Sequence, residues 1–395
     1  MSPQPTGPSH AGAGHSQILL ASTDVAAFVG HTAIAISGTR SVSLLPTRVS
    51  SLKEFEHVFG GPPAANTPYL LYDSVMLFFE NGGTQCVVVS VGSYNDVITT
   101  QTLVAGLTPL VSAPEVSVVA MPETVRLSAP DSAEAQRALL AHCGTSTGNR
   151  FAILDLRDGN LPLQPAGPVD VFTNAIGSSA HRSFGAAYYP WVVVAPSRLN
   201  GGSLTLPPSG AVAGVFASVD NTRGVWKAPA NVALSGVIAP AVAVTDSEQQ
   251  ELNAPISGVA VNAIRSFHGM GTLVWGARTL DSNNVDWRYI SVRRTAGMIE
   301  ESVGLFLKEC AFSPNTSATW MMIRTQVEYL LTDLWKSGAL QGITAKEAFA
   351  VRLGLGETMT AQDVADGLLV LELLLAVIHP AEFLVVRLHQ KIAAP

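Results

Sequence analysis

The chain has 395 residues, with 23 basic against 30 acidic side chains and a formal net charge of -7. That balance argues against a general polyanion binder, and at about 150 residues per domain the length suits two or three domains. Only 13% of residues are charged while 47% are hydrophobic, a surface poor in charge of the kind that other protein often covers. Cys86, Cys143 and Cys310 are widely spaced and odd in number, so neither a disulfide framework nor a Cys-rich zinc site is expected, and the chain suits a reducing compartment. No Lys or Arg precedes the first apolar run, which excludes an ordinary secretory signal. The most apolar late segment, 367–379, is short and broken by Glu372, so no membrane insertion is expected. The sequence reads as a soluble protein made in the cytoplasm.

Residues 1–16 are Pro, Gly, Ser and Ala with almost nothing to bury, and read as an arm. Two β-prone runs follow, ILLA and VAAFVG, joined by Ser22-Thr23-Asp24. A helix is expected after Thr67 as cap and Pro68 at the first position, with Leu71, Val75 and Phe78-Phe79 on its face. Asn81-Gly82-Gly83 ends it before the strand Cys86–Val91. Strands are then expected at Val116–Ala120, Phe151–Leu156 and Trp191–Val194, with a helix around Ala133–His142, which is the spacing of a small α/β layer. Thr245 and Glu248 have capping-box spacing. Strands are expected at Thr272–Gly276 and Arg288–Val292. Ile299, Val303, Phe306 and Cys310 line one helix, and Trp320, Ile323, Val327, Leu330, Leu334 and Trp335 line another that Gly338 ends. Leu368–Val377 and Phe383–Leu388 are β-prone, separated by His379-Pro380.

A search for chemistry returns little. There is no phosphate-loop motif, HExxH or GxSxG. Gly269-Met270-Gly271 reads better as a tight turn than as a nucleotide fingerprint. Asp155 and Asp158 stand at an expected strand end, where α/β enzymes place bases or ligands, and His181-Arg182 is the most site-like basic pair. These residues carry the enzyme reading, against the plainer one of a solvated strand end. Arg293-Arg294 suits either phosphate or neighbouring carboxylates. No cofactor or metal is expected, and no nucleic-acid partner.

In order along nearly the whole chain, a set of segments resembles the sheath proteins of contractile tails, found in phages, R-type pyocins and extracellular contractile injection systems. They are TDVAAFVG (Thr23–Gly30), FGG (Phe59–Gly61), FFENGGTQCVVVSVG (Phe78–Gly92), YYPWVVV (Tyr188–Val194), PPSGAVAGVFASVDNTRGVWKAPAN (Pro207–Asn231), GTLVWGARTL (Gly271–Leu280) and WRYISVRR (Trp287–Arg294), followed by IEES, SPNTSATW, LWKSGALQG, EAF and PAEFLVV. Two departures stand out. The family's PGVYxEE-like N-terminal strand is replaced by SQILLAS, and its EPN reads Ser313-Pro314-Asn315. Either change suits a specialised member nearer a baseplate or cap.

The resemblance implies a mixed α/β fold, with arms at 1–22 and 382–395, an inner domain from 23–100 plus 225–381, and an outer domain at 101–224. It implies a subunit that polymerises helically around an inner tube and contracts without nucleotide, in a particle with baseplate and cap proteins. A few kcal/mol per subunit, multiplied along a filament, makes contraction irreversible in practice. It implies inter-subunit strand exchange through Gln17, Ile18, Leu19 and Leu20 and through Phe383, Leu384, Val385, Val386, Arg387 and Leu388; an ordinary internal strand is the plainer reading. Lys336, Lys346 and Arg352 are candidates to face the tube, with surface solvation the plainer alternative. A sheath-like cap or baseplate-proximal adaptor is the alternative function.

Overall fold

A computed structural model describes residues 17–64, 66–145, 150–177, 179–195, 202–253, 255–378 and 384–391, the last segment by its backbone and the side chain of Gln390. In chain order the first part holds β1 (Ala26–Thr32), β2 (Ile36–Ser37), β3 (Arg40–Ser41), β4 (Thr47–Val49), α1 (Leu52–Phe59), α2 (Leu71–Glu80), β5 (Cys86–Ser93) and α3 (Thr100–Ala105). Next come β6 (Val118–Ala120), α4 (Ala129–Thr145), β7 (Phe151–Asp155), α5 (Pro168–Ile176), β8 (Gly185–Tyr189), β9 (Val192–Val194), β10 (Leu204–Leu206) and α6 (Ser209–Arg223). Then follow β11 (Val232–Ala233), β12 (Val237–Pro240), α7 (Asp246–Asn253), β13 (Asn262–Phe267) and β14 (Gly271–Val274). The last part holds α8 (Ile290–Glu309), α9 (Ser317–Lys336), α10 (Ala345–Ala348), β15 (Phe349–Arg352), α11 (Ala361–Ala365), β16 (Leu368–Leu375) and β17 (Leu384–Lys391).

Strands β1 and β5 are almost unbroken runs of Ala, Val, Cys and Phe, which suits strands covered on both faces. Residues on β1 alternate accordingly: Ala26 and Phe28 enter one core, Ala27 and Val29 the other. The resulting nine-stranded sheet has the order β11-β14-β13-β8-β7-β6-β1-β5-β4. Its six central strands are parallel neighbours, and antiparallel strands close both edges. The boundaries expected at 100 and 225 do not divide this sheet, because β1 pairs with β6 and β8 pairs with β13. Strand pairing runs straight through the 101–224 segment, and its small-residue helix α6 is buried rather than displayed.

One face of the sheet is covered by α2 and α6 in close contact. A Cβ on Gly210 would lie 2.2 Å from the Ser74 carbonyl oxygen, and one on Gly214 2.5 Å from that of Phe78. Only glycine lets the two backbones approach this closely. Gly214→Val is therefore expected to cost about 1–3 kcal/mol by overpacking, read as a lowered urea midpoint with an unchanged slope.

A third core belongs to the C-terminal part. Ile299, Val303, Phe306, Ile323, Val327, Leu331 and the alternating Leu369, Leu371, Leu373 and Leu375 of β16 pack together. Its sheet has the order β15-β16-β17.

Several sequence expectations need correction. Arg288–Val292 is not a strand: Tyr289 makes a single bridge to Arg278, and α8 starts at Ile290. Thr67 does not cap α2; its hydroxyl donates to the Ala64 carbonyl oxygen at 2.9 Å. The start of α2 is held instead by Glu123, whose Oε1 accepts from the Leu70 amide at 3.2 Å. The ILLA run forms no strand within the chain: Ile18 is buried in the C-terminal core and the Ala21 amide donates to Ser302 Oγ at 2.9 Å. The Thr245–Glu248 capping box does form, at 2.7 and 3.3 Å, and Gly269 and Gly271 take positive φ in the β13–β14 turn.

Candidate functional site

An open α/β sheet carries ligands where its strand order reverses, beyond the carboxyl ends of the strands. Here that point lies between β1, which leads to β5 on one side, and β6 on the other. The crevice is filled by His31 and Glu123, both wholly buried and 2.6 Å apart. Glu123 Oε2 also accepts from the His31 amide at 3.0 Å. Both carboxylate oxygens thus hold backbone, and the place is built as a clamp.

The residues of the enzyme reading do not converge. Asp155 is buried at the end of β7, where its Oδ1 accepts from the Ser209 amide at 2.9 Å and so caps α6. Asp158 occupies an exposed positive-φ turn beside its neighbour Arg157. His181 packs over Gly144 and beside Phe184, and Arg182 pairs with Asp281 at 3.1 Å. No hydrogen bond or ion pair joins Asp155, Asp158 and His181 among the described residues.

Burial pushes the Asp155 carboxyl up to about 7, against the lowering effect of the Ser209 amide it accepts from. A carboxyl raised this way favours the fold while protonated, so its stabilisation is present below about pH 4 and lost as pH rises towards 7. Asp155→Asn keeps the acceptor for Ser209 and removes the titration. The variant is expected to match the parent near pH 4 and to exceed it by about 1–2 kcal/mol near pH 8, checked by denaturant unfolding at both values.

Arg293 and Arg294 serve packing. Arg294 makes a two-pronged pair with buried Asp220 at 3.0 and 2.6 Å and donates to the Thr23 carbonyl oxygen at 2.7 Å. Arg293 lies 3.7 Å over the Phe184 ring and 4.4 Å over that of Trp287, and burial lowers its pKa to about 10. Neither guanidinium is displayed to solvent for phosphate. No cluster of three or more metal-ligating side chains occurs among the described residues. No helix among them is long and apolar enough to cross a membrane.

The geometry that suits a function beyond folding is at the two ends of the chain. Strand β17 is an edge strand whose pairing partner is β16, in an antiparallel register running from Leu368↔Lys391 to Leu375↔Leu384. It is reached across residues 379–383, so Phe383 lies outside the described residues while Leu384, Val385, Val386, Arg387 and Leu388 lie in the strand. Gln17, Ile18, Leu19 and Leu20 belong to no helix or strand, with Ile18 anchored in the same C-terminal core and Leu19 and Leu20 exposed. Ile18, Ala21 and β17 are thus all rooted in one unit. Lys336 and Lys346 are exposed in that unit, with no ion pair among the described residues. Arg352 is exposed on β15 and is tied to Glu372 at 3.1 Å.

Comparison with known proteins bears on this arrangement. The family description of a phage tail sheath protein central domain matches residues 124–280, and that of a phage tail sheath C-terminal domain matches 282–391. The junction between them falls just before α8, where the third core begins. The tail sheath protein of Burkholderia phage BcepMu is 30% identical over 162 residues, a stretch covering 40% of this chain and 34% of that relative. The match thus spans about a third of the curated relative's length. A chain of the contracted helical sheath of the anti-feeding prophage is 30% identical, with 99% of each chain covered and a TM-score of 0.74. A chain of the same prophage's six-fold baseplate is also 30% identical, covering 99% of this chain and 100% of that one, with a TM-score of 0.74. Two successive sheath domains and end-to-end counterparts at this identity leave one conclusion: this chain belongs to the contractile tail sheath family.

Proposed function

We propose that the chain is a structural sheath subunit that polymerises helically around an inner tube and contracts to drive the tube through a target envelope. The end-to-end likeness to a chain of a helical sheath in the contracted state carries this reading. The molecule's own build supports it. Open helical assembly needs two different, complementary surfaces on each subunit, and a terminal strand that adds to a neighbour's sheet supplies one through backbone hydrogen bonds. In this reading β17 and the segment Gln17–Leu20 are the linkers, and the sheet unit moves as a rigid body between them. Lys336, Lys346 and Arg352 are the proposed tube-facing cations. The partners are other copies of the chain, the inner tube protein, and baseplate and cap proteins, with no nucleic acid and no membrane insertion. The chain is made in the cytoplasm, assembles into a phage tail or tail-like particle, and no residue acts as a catalyst.

The equal likeness to a baseplate chain favours a second reading, a sheath-like adaptor near the baseplate or cap. Negative-stain electron microscopy separates the two. The intact chain is expected to form helical tubes that vanish when residues 382–395 are removed. Single rings or monomers from the intact chain, even with the inner tube protein added, would establish the adaptor.

A further inference from the structure

Two surfaces outside the terminal strands are unlike in form, one projecting and one concave, and opposite in charge. The first is the excursion between β1 and β4. Ile34, Ile36, Leu44 and Leu45 are there 44–52% exposed. They are presented by a fixed backbone: the Ile34 amide donates to the Phe59 carbonyl oxygen at 3.0 Å, Val42 to Ala35 at 2.9 Å and Leu44 to Ser90 of β5 at 2.9 Å. Such pre-organisation lowers the entropic cost of docking. Residues 25–53 contain no carboxylate and carry Arg40, Arg48 and Lys53. Arg48 is satisfied by Glu115 at 2.7 Å, whereas exposed Arg40 has no ion pair among the described residues.

The second surface is a cleft of about 670 Å³ between α5 and α7. Leu163, Val169, Pro255 and Ile256 give it an apolar lining, with Asp170 and Glu251 among its polar residues. Residues 158–181 and 228–264 contain no Lys or Arg. Arg265 reaches the start of α7 and pairs with Asp246 at 2.7 Å, while exposed Glu251 has no ion pair among the described residues.

The topology sets these surfaces apart. The apolar, cationic excursion leans on β5, next to the β4 edge of the nine-stranded sheet, while α5 and α7 flank β8 and β13 towards the other edge. A pair of unlike, complementary surfaces at opposite ends of one body makes a heterologous contact, which propagates into rings or helices. We propose that the 34–48 excursion of one copy docks in the α5–α7 cleft of the next, a head-to-tail contact between sheath subunits additional to strand exchange. Ile36, Leu44 and Leu45 supply the apolar anchor, and Arg40 faces Glu251 and Asp170 of the neighbouring copy. The proposal rests on the sheath reading and adds the surface by which the bodies of neighbouring subunits meet.

A charge swap tests it. Arg40→Glu and Glu251→Lys both alter exposed residues without an ion pair among the described residues, so folding, checked by circular dichroism, is expected to be unchanged. Each single variant is expected to raise the concentration needed for polymerisation about tenfold by placing like charges together. The double variant, which restores opposite charges at every contact, is expected to return to within about twofold of the parent. Single variants that polymerise like the parent, or a double variant no better than either single one, would overturn the docking while leaving the sheath reading intact. A parent chain that forms no polymer removes the sheath reading and the docking with it.

Discussion

Replacing Arg294 by Met is expected to lower the stability of the chain by about 3–5 kcal/mol, the range for breaking a buried ion pair from one side. The side chains of Arg294 and Asp220 are 4% and 2% exposed. The guanidinium fork spans both Asp220 oxygens and also holds the Thr23 carbonyl, so one side chain of α8 ties down α6 and the segment entering β1. Its Cζ lies 4.8 Å over the Phe216 ring, which excludes water from the pair. Methionine would fill most of the volume and leave the carboxylate without a counter-ion. Burial already raises the Asp220 pKa even with Arg294 beside it, so in the variant the carboxyl is expected to take up a proton on folding. The sign follows: a raised carboxyl loses stabilisation as pH rises, so the penalty is largest at neutral pH and shrinks on acidification. Arg294→Met with Asp220→Leu is expected to recover most of the loss. Urea unfolding of both single variants and the double at pH 5 and pH 8 measures each term. Equal penalties for Arg294→Met at the two pH values would show that Asp220 stays charged and that water reaches it.

The position of this pair explains its size. Arg294 stands near the start of α8, on the C-terminal side of the junction at 280–282, and α6 lies under the central sheet. The pair therefore bolts the C-terminal unit, which holds Ile18 and β17, to the body of the subunit. In the proposed sheath, a force carried by terminal linkers to the sheet body would cross that bolt.

What was legible in the sequence follows from what each signal measures. The apolar runs of β1 and β5 and the stripes of α8 and α9 report burial directly, and they fall where expected. Strand β8 gave no signal because Gly185, Ala186 and Ala187 are small. The space is taken by a neighbouring helix: a Cβ on Gly185 would lie 2.5 Å from Leu140 Cδ2. The start of α2 was misread because its cap comes from Glu123, fifty-three residues away from the Leu70 it holds. WRYISVRR looks β-prone because Tyr289, Ile290 and Val292 are residues that strands favour, yet Tyr289 alone stays extended, while Ile290 and Val292 are buried as part of the first turn of α8. Of the proposed linkers, the β-prone C-terminal run was visible as sequence. The excursion and the cleft of the proposed docking were not, since α5, α7 and the 34–48 segment lie far apart in sequence and are set on the body only by its topology.

The second large effect concerns whose strand β17 fills. A strand exchanged between copies occupies the same slot and register as one closing on its own chain, and differs only in the connection at 379–383. Leu374 of β16 faces Val385 of β17, at the Cα separation of about 4.5–5.5 Å typical of antiparallel neighbours, which a disulfide spans without strain. With Leu374→Cys and Val385→Cys, oxidation of the free chain is expected to trap the closed form and to block polymerisation. Oxidation after assembly is expected to link each chain to the next, giving a ladder of covalent oligomers on a non-reducing gel. The native thiols, Cys86, Cys143 and Cys310, are buried and do not interfere. Covalent monomers from oxidised tubes would establish that the strand stays at home and that the linkage lies in other contacts. The contrast is all or none because the backbone bonds of eight paired residues are conserved in either arrangement. The balance between them is set by the short connection and by the local concentration of a neighbour, and assembly changes the second of these by orders of magnitude.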